Sequence, residues 1–131
     1  NSPEFQDLKL LVQTLHAAGA DVQYVSIPSN GRWYDHIGIK KDRREAVYKK
    51  IHSTVVDNGG KIYDLTNKDY EKYVISDAVH IGWKGWVYVD QQIARHMDGH
   101  APKNHEVDYS KNKPPYKHHK GRQDDQHQGN K

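Results

Sequence analysis

The sequence predicts an α/β protein with a short parallel sheet, and three observations carry this prediction. Apolar residues recur at spacings of three and four near 5–15 and 86–97, as in amphipathic helices. Two short runs rich in β-branched and aromatic residues, 22–27 and 61–65, are typical of strands. A helical pattern lies between these two runs, which is the order of an α/β unit.

The first helix begins at Ser2-Pro3-Glu4. Serine can cap a helix, proline suits the first helical position, and glutamate favours the positive end of the helix dipole. Gly19 stands where a left-handed C-terminal stop is needed. The apolar residues between these signals form one core-facing stripe: Phe5, Leu8, Leu11, Val12 and Leu15.

The first strand ends at Pro28, and residues 28–35 are predicted to form a turn-rich loop with two large aromatic residues, Trp33 and Tyr34. In an open α/β sheet, ligands bind in the crevice formed by the loops that follow the strand C-termini. The two aromatic side chains are therefore candidates for a pocket lining. The alternative, that they cover the edge of the core, stays open.

The second helix is predicted over 41–58, with Val47, Ile51 and Val55 on one face and Asn58-Gly59-Gly60 as its stop. After the second strand comes a polar loop over 66–75, and a third helix follows over 82–97. The basic residues near the second helix are expected to form a solvated face: Lys40, Lys41, Arg43, Arg44, Lys49 and Lys50.

An aspartate and a histidine, Asp77 and His80, stand three residues apart just before the third helix. In that position the carboxylate can accept the Nδ1 proton of the imidazole and leave Nε2 free to take a proton from a nucleophile. The alternative is that Asp77 caps the helix and His80 is an ordinary half-buried histidine.

Charge divides the chain into two parts. Residues 1–98 carry 13 Lys+Arg and 13 Asp+Glu, whereas residues 99–131 carry 7 and 4, so the formal charge of +3 belongs to the tail. A nucleic-acid binder should show its basic face on the folded part, so we expect no nucleic-acid partner. The tail is poor in apolar residues, and we expect disorder over 99–131.

The absence of cysteine excludes disulfides, thiol catalysis and cysteine-ligated zinc. Five tail histidines are irregularly spaced, and we predict no metal site from them: His100, His105, His118, His119 and His127. No run approaches the roughly 18 apolar residues of a membrane span. The chain begins at Asn1, so we expect a fragment or a processed chain.

Asp77-x-x-His80 followed by Gly85 and an amphipathic helix resembles the last sequence block of the SGNH hydrolases. A narrower resemblance covers about residues 2–97. Four segments are similar to the DltD family: Ser2-Pro3-Glu4-Phe5-x-Asp7-Leu8, Ala18-Gly19-Ala20-Asp21-Val22, Asn30-Gly31-x-Trp33-Tyr34-Asp35 and His80-Ile81-Gly82-Trp83-Lys84-Gly85-Trp86.

This resemblance implies the C-terminal portion of an SGNH-like (flavodoxin-like) three-layer α/β/α fold over 1–98. It implies D-alanylation of lipoteichoic acid on the extracytoplasmic face of the Gram-positive cell membrane, through an N-terminal anchor outside this chain. The implied partners are a membrane-bound D-alanyl acyltransferase, a D-alanyl carrier protein and lipoteichoic acid. No cofactor is implied.

Carried over by position, Asp77 and His80 would be the acid and base of a Ser-His-Asp triad. Four residues would line the substrate pocket: Asn30, Trp33, Tyr34 and Trp83. The chain departs from the family pattern at the nucleophile, because neither Ser29 nor Ser76 lies in a nucleophile motif. We therefore keep two hypotheses, an acyl ester transfer or hydrolysis site and a non-catalytic assembly protein. Two strands are too few for a stable parallel sheet, so exposed apolar surface is expected.

Overall fold

The computed structural model describes residues 2–100, 102 and 106–116, and it confirms the α/β fold with a short parallel sheet. The elements in chain order are α1 Pro3–Ala17, β1 Gln23–Ser26, α2 Gly31–His36, α3 Lys41–Val56, β2 Lys61–Asp64, a short 3-10 helix Thr66–Lys68, and α4 Trp83–Met97.

The sheet consists of β1 and β2 in parallel, with Gln23 opposite Lys61 and Ser26 opposite Asp64. Helix α3 makes the crossover between the strands, as parallel pairing requires. On one face of the sheet, α1 and α3 pack over a core of Val12, Val55 and Ile62. Successive strand side chains point to opposite faces. Gln23 therefore faces the other side, where it accepts a hydrogen bond from Gln92 of α4 at 3.4 Å.

The expected exposed apolar surface is confirmed. Val25 of β1 and the following Ile27 are both more than a third exposed. The helices add further exposed apolar side chains on both sides of the sheet: Leu10 and Leu11 from α1, and Trp86, Val87, Ile93 and Met97 from α4. A two-stranded sheet leaves these groups without enough neighbouring structure to cover them.

Two expectations about 28–58 need correction. Residues 31–36, predicted as part of a loop, form the short helix α2, because Asn30 caps it by accepting a hydrogen bond from the Trp33 amide at 3.3 Å. Arg44, predicted on a solvated face, is only 4% exposed. Its charge is tolerated there because two carboxylates, Asp35 and Asp69, pair with it.

Residues 106–116 lie in the predicted tail and form no helix or strand. Within this irregular segment, Tyr109 and Asn112 are nevertheless buried against the domain. Their contacts are polar as well as aromatic, and a low apolar content could not reveal them. Most of the other tail residues lie outside the described part of the chain.

Among the residues that the structure describes, no helix combines the length and the apolar character needed to cross a membrane.

Candidate functional site

The loop that carries Asp77 and His80 is closed by backbone pairing at both of its ends. Ile75 and Ile81 form an antiparallel bridge, and the Ser76 amide donates to the His80 carbonyl at 2.8 Å. The Ser76 hydroxyl donates to the same carbonyl at 3.1 Å. The Gly82 amide then donates to the Val74 carbonyl at 2.7 Å, just before α4 begins. The loop is therefore a tight, hydrogen-bonded turn.

Within this turn, both oxygens of the Asp77 carboxylate are occupied. Oδ1 accepts the amides of Val79 at 3.0 Å and His80 at 2.9 Å, while Oδ2 lies 2.7 Å from His80 Nδ1. The carboxylate therefore lies within hydrogen-bond reach of Nδ1, as the sequence spacing predicts. These backbone bonds make Asp77 an Asx-type turn former. The alternative that Asp77 caps the helix is wrong, because the N-cap of α4 is Gly82 and no side chain caps it.

Electrostatics fix the direction of the Asp77–His80 hydrogen bond. The backbone amides of His80 and Val79, and then the His80 side chain, lower the pKa of Asp77 to about 2. At neutral pH the carboxylate is ionised and can only accept, so Nδ1 carries the proton. In the neutral imidazole Nε2 then has a free lone pair, and the His80 side chain is 78% exposed. This arrangement suits a general base that meets its nucleophile from outside the loop.

Gly85 lets α4 approach this loop closely. A Cβ atom there would lie 2.5 Å from the Val74 carbonyl oxygen and 2.6 Å from the Ile81 side chain. Val74 lies just before the Asp77–His80 loop and Ile81 lies just after it. Any larger residue would push the helix away from the loop.

Glu71 ties the first turns of α4 to the segment before the loop. Its carboxylate accepts hydrogen bonds from Lys84 at 2.6 Å, Tyr88 at 2.7 Å and Lys68 at 3.1 Å. Burial opposes ionisation, but these three donors lower the pKa of Glu71 to about 2. Tyr73, two residues later, has a φ of 69°, which is strained for a residue with a side chain. The chain entering the loop is thus held in an uncommon conformation.

Glu71→Gln is expected to destabilise the protein at neutral pH and progressively less in acid. The folded pKa of about 2 lies below the unfolded value of about 4.3. The stabilisation is therefore complete above the unfolded pKa and is lost as the pH falls through the folded one. The measurement is the urea midpoint of the intact protein across this acid range. Asp90→Asn on α4 is the control, and a Glu71→Gln deficit that stays constant with pH would contradict the assignment.

The four predicted pocket residues are not brought together around His80. The Asn30 side chain caps α2, and the Asn30 backbone amide donates to the Ala78 carbonyl in the Asp77–His80 loop at 2.9 Å. Trp33 is exposed on α2, and Trp83 is exposed at the start of α4, where its ring lies 5.7 Å from that of Tyr73.

A cavity of about 260 Å³ adjoins the loop, and Asn30 and Ser76 are among its lining residues. Within the described residues, its lining does not include Trp33, Tyr34 or Trp83. Asn30 therefore lines a cavity beside the loop, whereas the three aromatic residues do not line it.

A buried ionic cluster adjoins this cavity and centres on Arg44. All five guanidinium N–H groups have an acceptor: Asp69 Oδ2 from Nε and Nη2, Asp35 Oδ1 and the Ile39 carbonyl from Nη1, and the Tyr70 hydroxyl from Nη2. Burial opposes the charge, but these partners raise the pKa of Arg44 further. Tyr70 in turn donates to Asp35 at 2.6 Å.

Sequence reasoning missed this cluster. Its one sequence signal was Asp35, which ends the quoted Asn-Gly-x-Trp-Tyr-Asp segment, and the structure makes Asp35 an ion-pair partner. Burial keeps the pKa of Asp69 raised, although Asn112 and Arg44 oppose that effect. Arg44 and Asp69 lie on different elements, so no local pattern marks them as partners.

In the described part of the chain, the two candidate serines bond to groups other than the His80 ring. Ser76 donates its hydroxyl to the His80 carbonyl, and Ser29 donates its amide to the Tyr48 hydroxyl at 2.9 Å. Across residues 2–100, 102 and 106–116, no group of three His, Asp or Glu residues is placed to hold a metal ion. Four of the predicted non-ligand histidines lie outside those residues: His105, His118, His119 and His127.

Comparison with known proteins gives a consistent result. The family model described as DltD protein matches residues 1–98. The chain is 80% identical over 112 residues to Protein DltD of Staphylococcus aureus (strain NCTC 8325 / PS 47), covering 86% of this chain and 28% of that protein. It is 42% identical over 92 residues to Protein DltD of Bacillus subtilis (strain 168), covering 70% of this chain and 24% of that protein.

A more distant relative, Protein DltD of Lacticaseibacillus rhamnosus, is 29% identical over 93 residues, which is 70% of this chain and 22% of that protein. The chain thus spans about a quarter of the length of the curated relatives it matches. Because the family model covers most of the chain, the chain belongs to the DltD family.

Proposed function

We propose that this chain supplies the acid and base of a Ser-His-Asp acyl ester site that serves the D-alanylation of lipoteichoic acid. The observation that carries the proposal is the pair formed by Asp77 Oδ2 and His80 Nδ1 at 2.7 Å, with the second carboxylate oxygen held by two backbone amides. D-alanylation is proposed as the pathway because the chain belongs to the DltD family. The nucleophilic serine belongs to a part of the protein outside this chain.

In the proposed reaction, His80 Nε2 removes the proton from the serine hydroxyl while the serine oxygen attacks the carbonyl of a D-alanyl ester. Asp77 stabilises the imidazolium that forms. The imidazolium then gives its proton to the departing oxygen, and the acyl group stays on the serine. A hydroxyl group or water, deprotonated in turn by Nε2, attacks the acyl-enzyme and releases the serine with its proton restored.

The setting of this reaction is also a proposal. We place the site on the extracytoplasmic face of the cell membrane, held there by an N-terminal anchor outside this chain. The membrane-bound D-alanyl acyltransferase and the D-alanyl carrier protein would deliver the acyl group, and lipoteichoic acid would receive it. Asn30 is a proposed pocket residue because its amide contacts Ala78 inside the loop.

A second function, non-catalytic assembly of these partners, is favoured by the exposed aromatic residues. Trp33 and Trp83 are 54% and 64% exposed, and Trp83 stacks against Tyr73 in a tilted arrangement. Exposed tryptophan and tyrosine are enriched at binding interfaces because they bury a large area with few rotatable bonds. In this reading Trp33, Tyr34 and Trp83 form a contact surface and the Asp77–His80 pair is incidental.

Labelling with a fluorophosphonate, which reacts with serines activated by a general base, separates the two functions in the intact protein. We expect rapid labelling of one serine outside this chain and loss of that labelling in His80→Ala. His36→Ala, which alters another exposed histidine, should label normally. Equal labelling of the His80→Ala and unaltered proteins would eliminate the catalytic function and leave the assembly function.

A further inference from the structure

We propose that residues 106–116, here called the strap, position the loop that carries Asp77 and His80; this inference rests on the proposed function. The strap holds no helix or strand, and three of its polar side chains form hydrogen bonds with the domain: Tyr109, Asn112 and Tyr116. All three bind groups that belong to, or directly support, the C-terminal edge of the sheet.

The central contact is the one made by Asn112. Its Nδ2 donates to Asp69 Oδ1 at 2.6 Å, and the Asp69 side chain is fully buried. The other oxygen of Asp69 is taken by Nε and Nη2 of Arg44 at 3.2 and 3.1 Å. Asn112 therefore satisfies the half of this carboxylate that Arg44 does not reach, and an unsatisfied buried carboxylate oxygen is costly.

The two tyrosines attach the strap on either side of Asn112. Thr66 Oγ1 donates its hydrogen to Asp64 at 2.6 Å, so the Tyr109 hydroxyl, 2.5 Å away, donates to Thr66. The Tyr116 hydroxyl donates to Asp35, and burial together with that bond raises the pKa of Tyr116 to about 12. The strap thus spans from the end of β2 to the Arg44 cluster.

Asp69 links the strap to the Asp77–His80 loop through backbone hydrogen bonds. Its backbone carbonyl accepts the Gly31 amide at 2.7 Å, and the adjacent Asn30 amide donates to the Ala78 carbonyl at 2.9 Å. Gly31 packs closely against the cluster, because a Cβ atom there would lie 2.7 Å from the Tyr70 ring. The location of Asp69 therefore sets where Asn30 meets Ala78, between Asp77 and His80.

Hydrogen exchange of the intact protein tests this chain of contacts without requiring any activity. In Asn112→Ala, peptides covering 28–33 and 75–82 should exchange about tenfold faster than in the unaltered protein, as expected for the loss of one charge-assisted hydrogen bond. Peptides from α1 and β1 should not change. Asn112→Asp, which places a second carboxylate against Asp69, should give a larger increase at the same peptides.

Lys113→Ala, an exposed neighbour on the strap, is the matched control and should exchange normally. Unchanged exchange at 28–33 and 75–82 in both Asn112 variants would overturn the inference, and so would an equal increase throughout the domain. Because exchange does not depend on chemistry, these outcomes are separate from failure of the proposed function. If both proposals hold, Asn112→Ala should lower the rate of serine labelling by up to about 100-fold, as misplaced groups do.

Discussion

His80→Ala in the intact protein is expected to lower the turnover number for D-alanine incorporation by about 10⁴-fold or more while leaving folding and complex formation intact. Members of a catalytic triad act as a unit, so removing the base removes nearly all of the covalent catalysis. Folding should survive because the side chain is 78% exposed and its ring bonds only to Asp77 among the contacts described here. The measurement is single-turnover transfer of labelled D-alanine.

Asp77→Asn should be nearly as damaging, because an amide cannot hold the required tautomer or balance the imidazolium. The variant also replaces one carboxylate oxygen by an NH2 group, and Oδ1 is the oxygen that accepts both the Val79 and the His80 amides. Circular dichroism and complex formation must therefore accompany the assay. His36→Ala is the matched histidine control. Near-normal transfer by His80→Ala would eliminate the catalytic assignment and direct attention to Trp33, Tyr34 and Trp83.

The Asp77–His80 geometry could be predicted because it is local. A spacing of three residues lets one turn bring the carboxylate to Nδ1, and the same turn presents the Val79 and His80 amides to Oδ1. The helices α1, α3 and α4 could also be predicted, since their apolar stripes and end signals stand in the sequence. The capped start of α2 was missed because Gly31 and the aromatic residues after it gave a loop-like pattern.

The ionic cluster and the strap could not be predicted, because their contacts join residues that are far apart in the sequence. Arg44 and Asp69 are 25 residues apart, and Asp69 and Asn112 are 43 apart. A basic residue on a helix face is usually solvated, and nothing near Arg44 in the sequence indicates that it pairs with a buried and a partly buried carboxylate. Likewise, a hydrophilic tail segment predicts disorder, and only the fold brings its Asn112 to an unsatisfied oxygen of Asp69.

Arg44→Met is expected to destabilise the intact protein by about 3–5 kcal/mol, the typical effect of removing one partner of a buried ion pair. Methionine fills a similar volume but leaves Asp69, whose side chain is fully buried, with no cation, and it removes a partner of Asp35. The measurement is urea unfolding followed by tryptophan fluorescence. Arg43→Met, an exposed neighbour on α3, is the matched control and should change stability by less than about 0.5 kcal/mol.

Two further results would identify the cause as the unpaired carboxylate rather than lost packing. Burial already raises the pKa of Asp69, and loss of Arg44 removes an opposing effect, so Asp69 in the variant should bind a proton more readily. A folded pKa above the unfolded value means that stability is greatest below the unfolded pKa and is lost as the pH rises through the folded one. The Arg44→Met deficit should therefore shrink between pH 7 and about pH 4.

Adding Asp69→Asn should recover part of the Arg44→Met deficit at neutral pH, because a buried amide carries no charge. A deficit that neither acid nor Asp69→Asn reduces would show that packing, and not the buried charge, is what Arg44 provides.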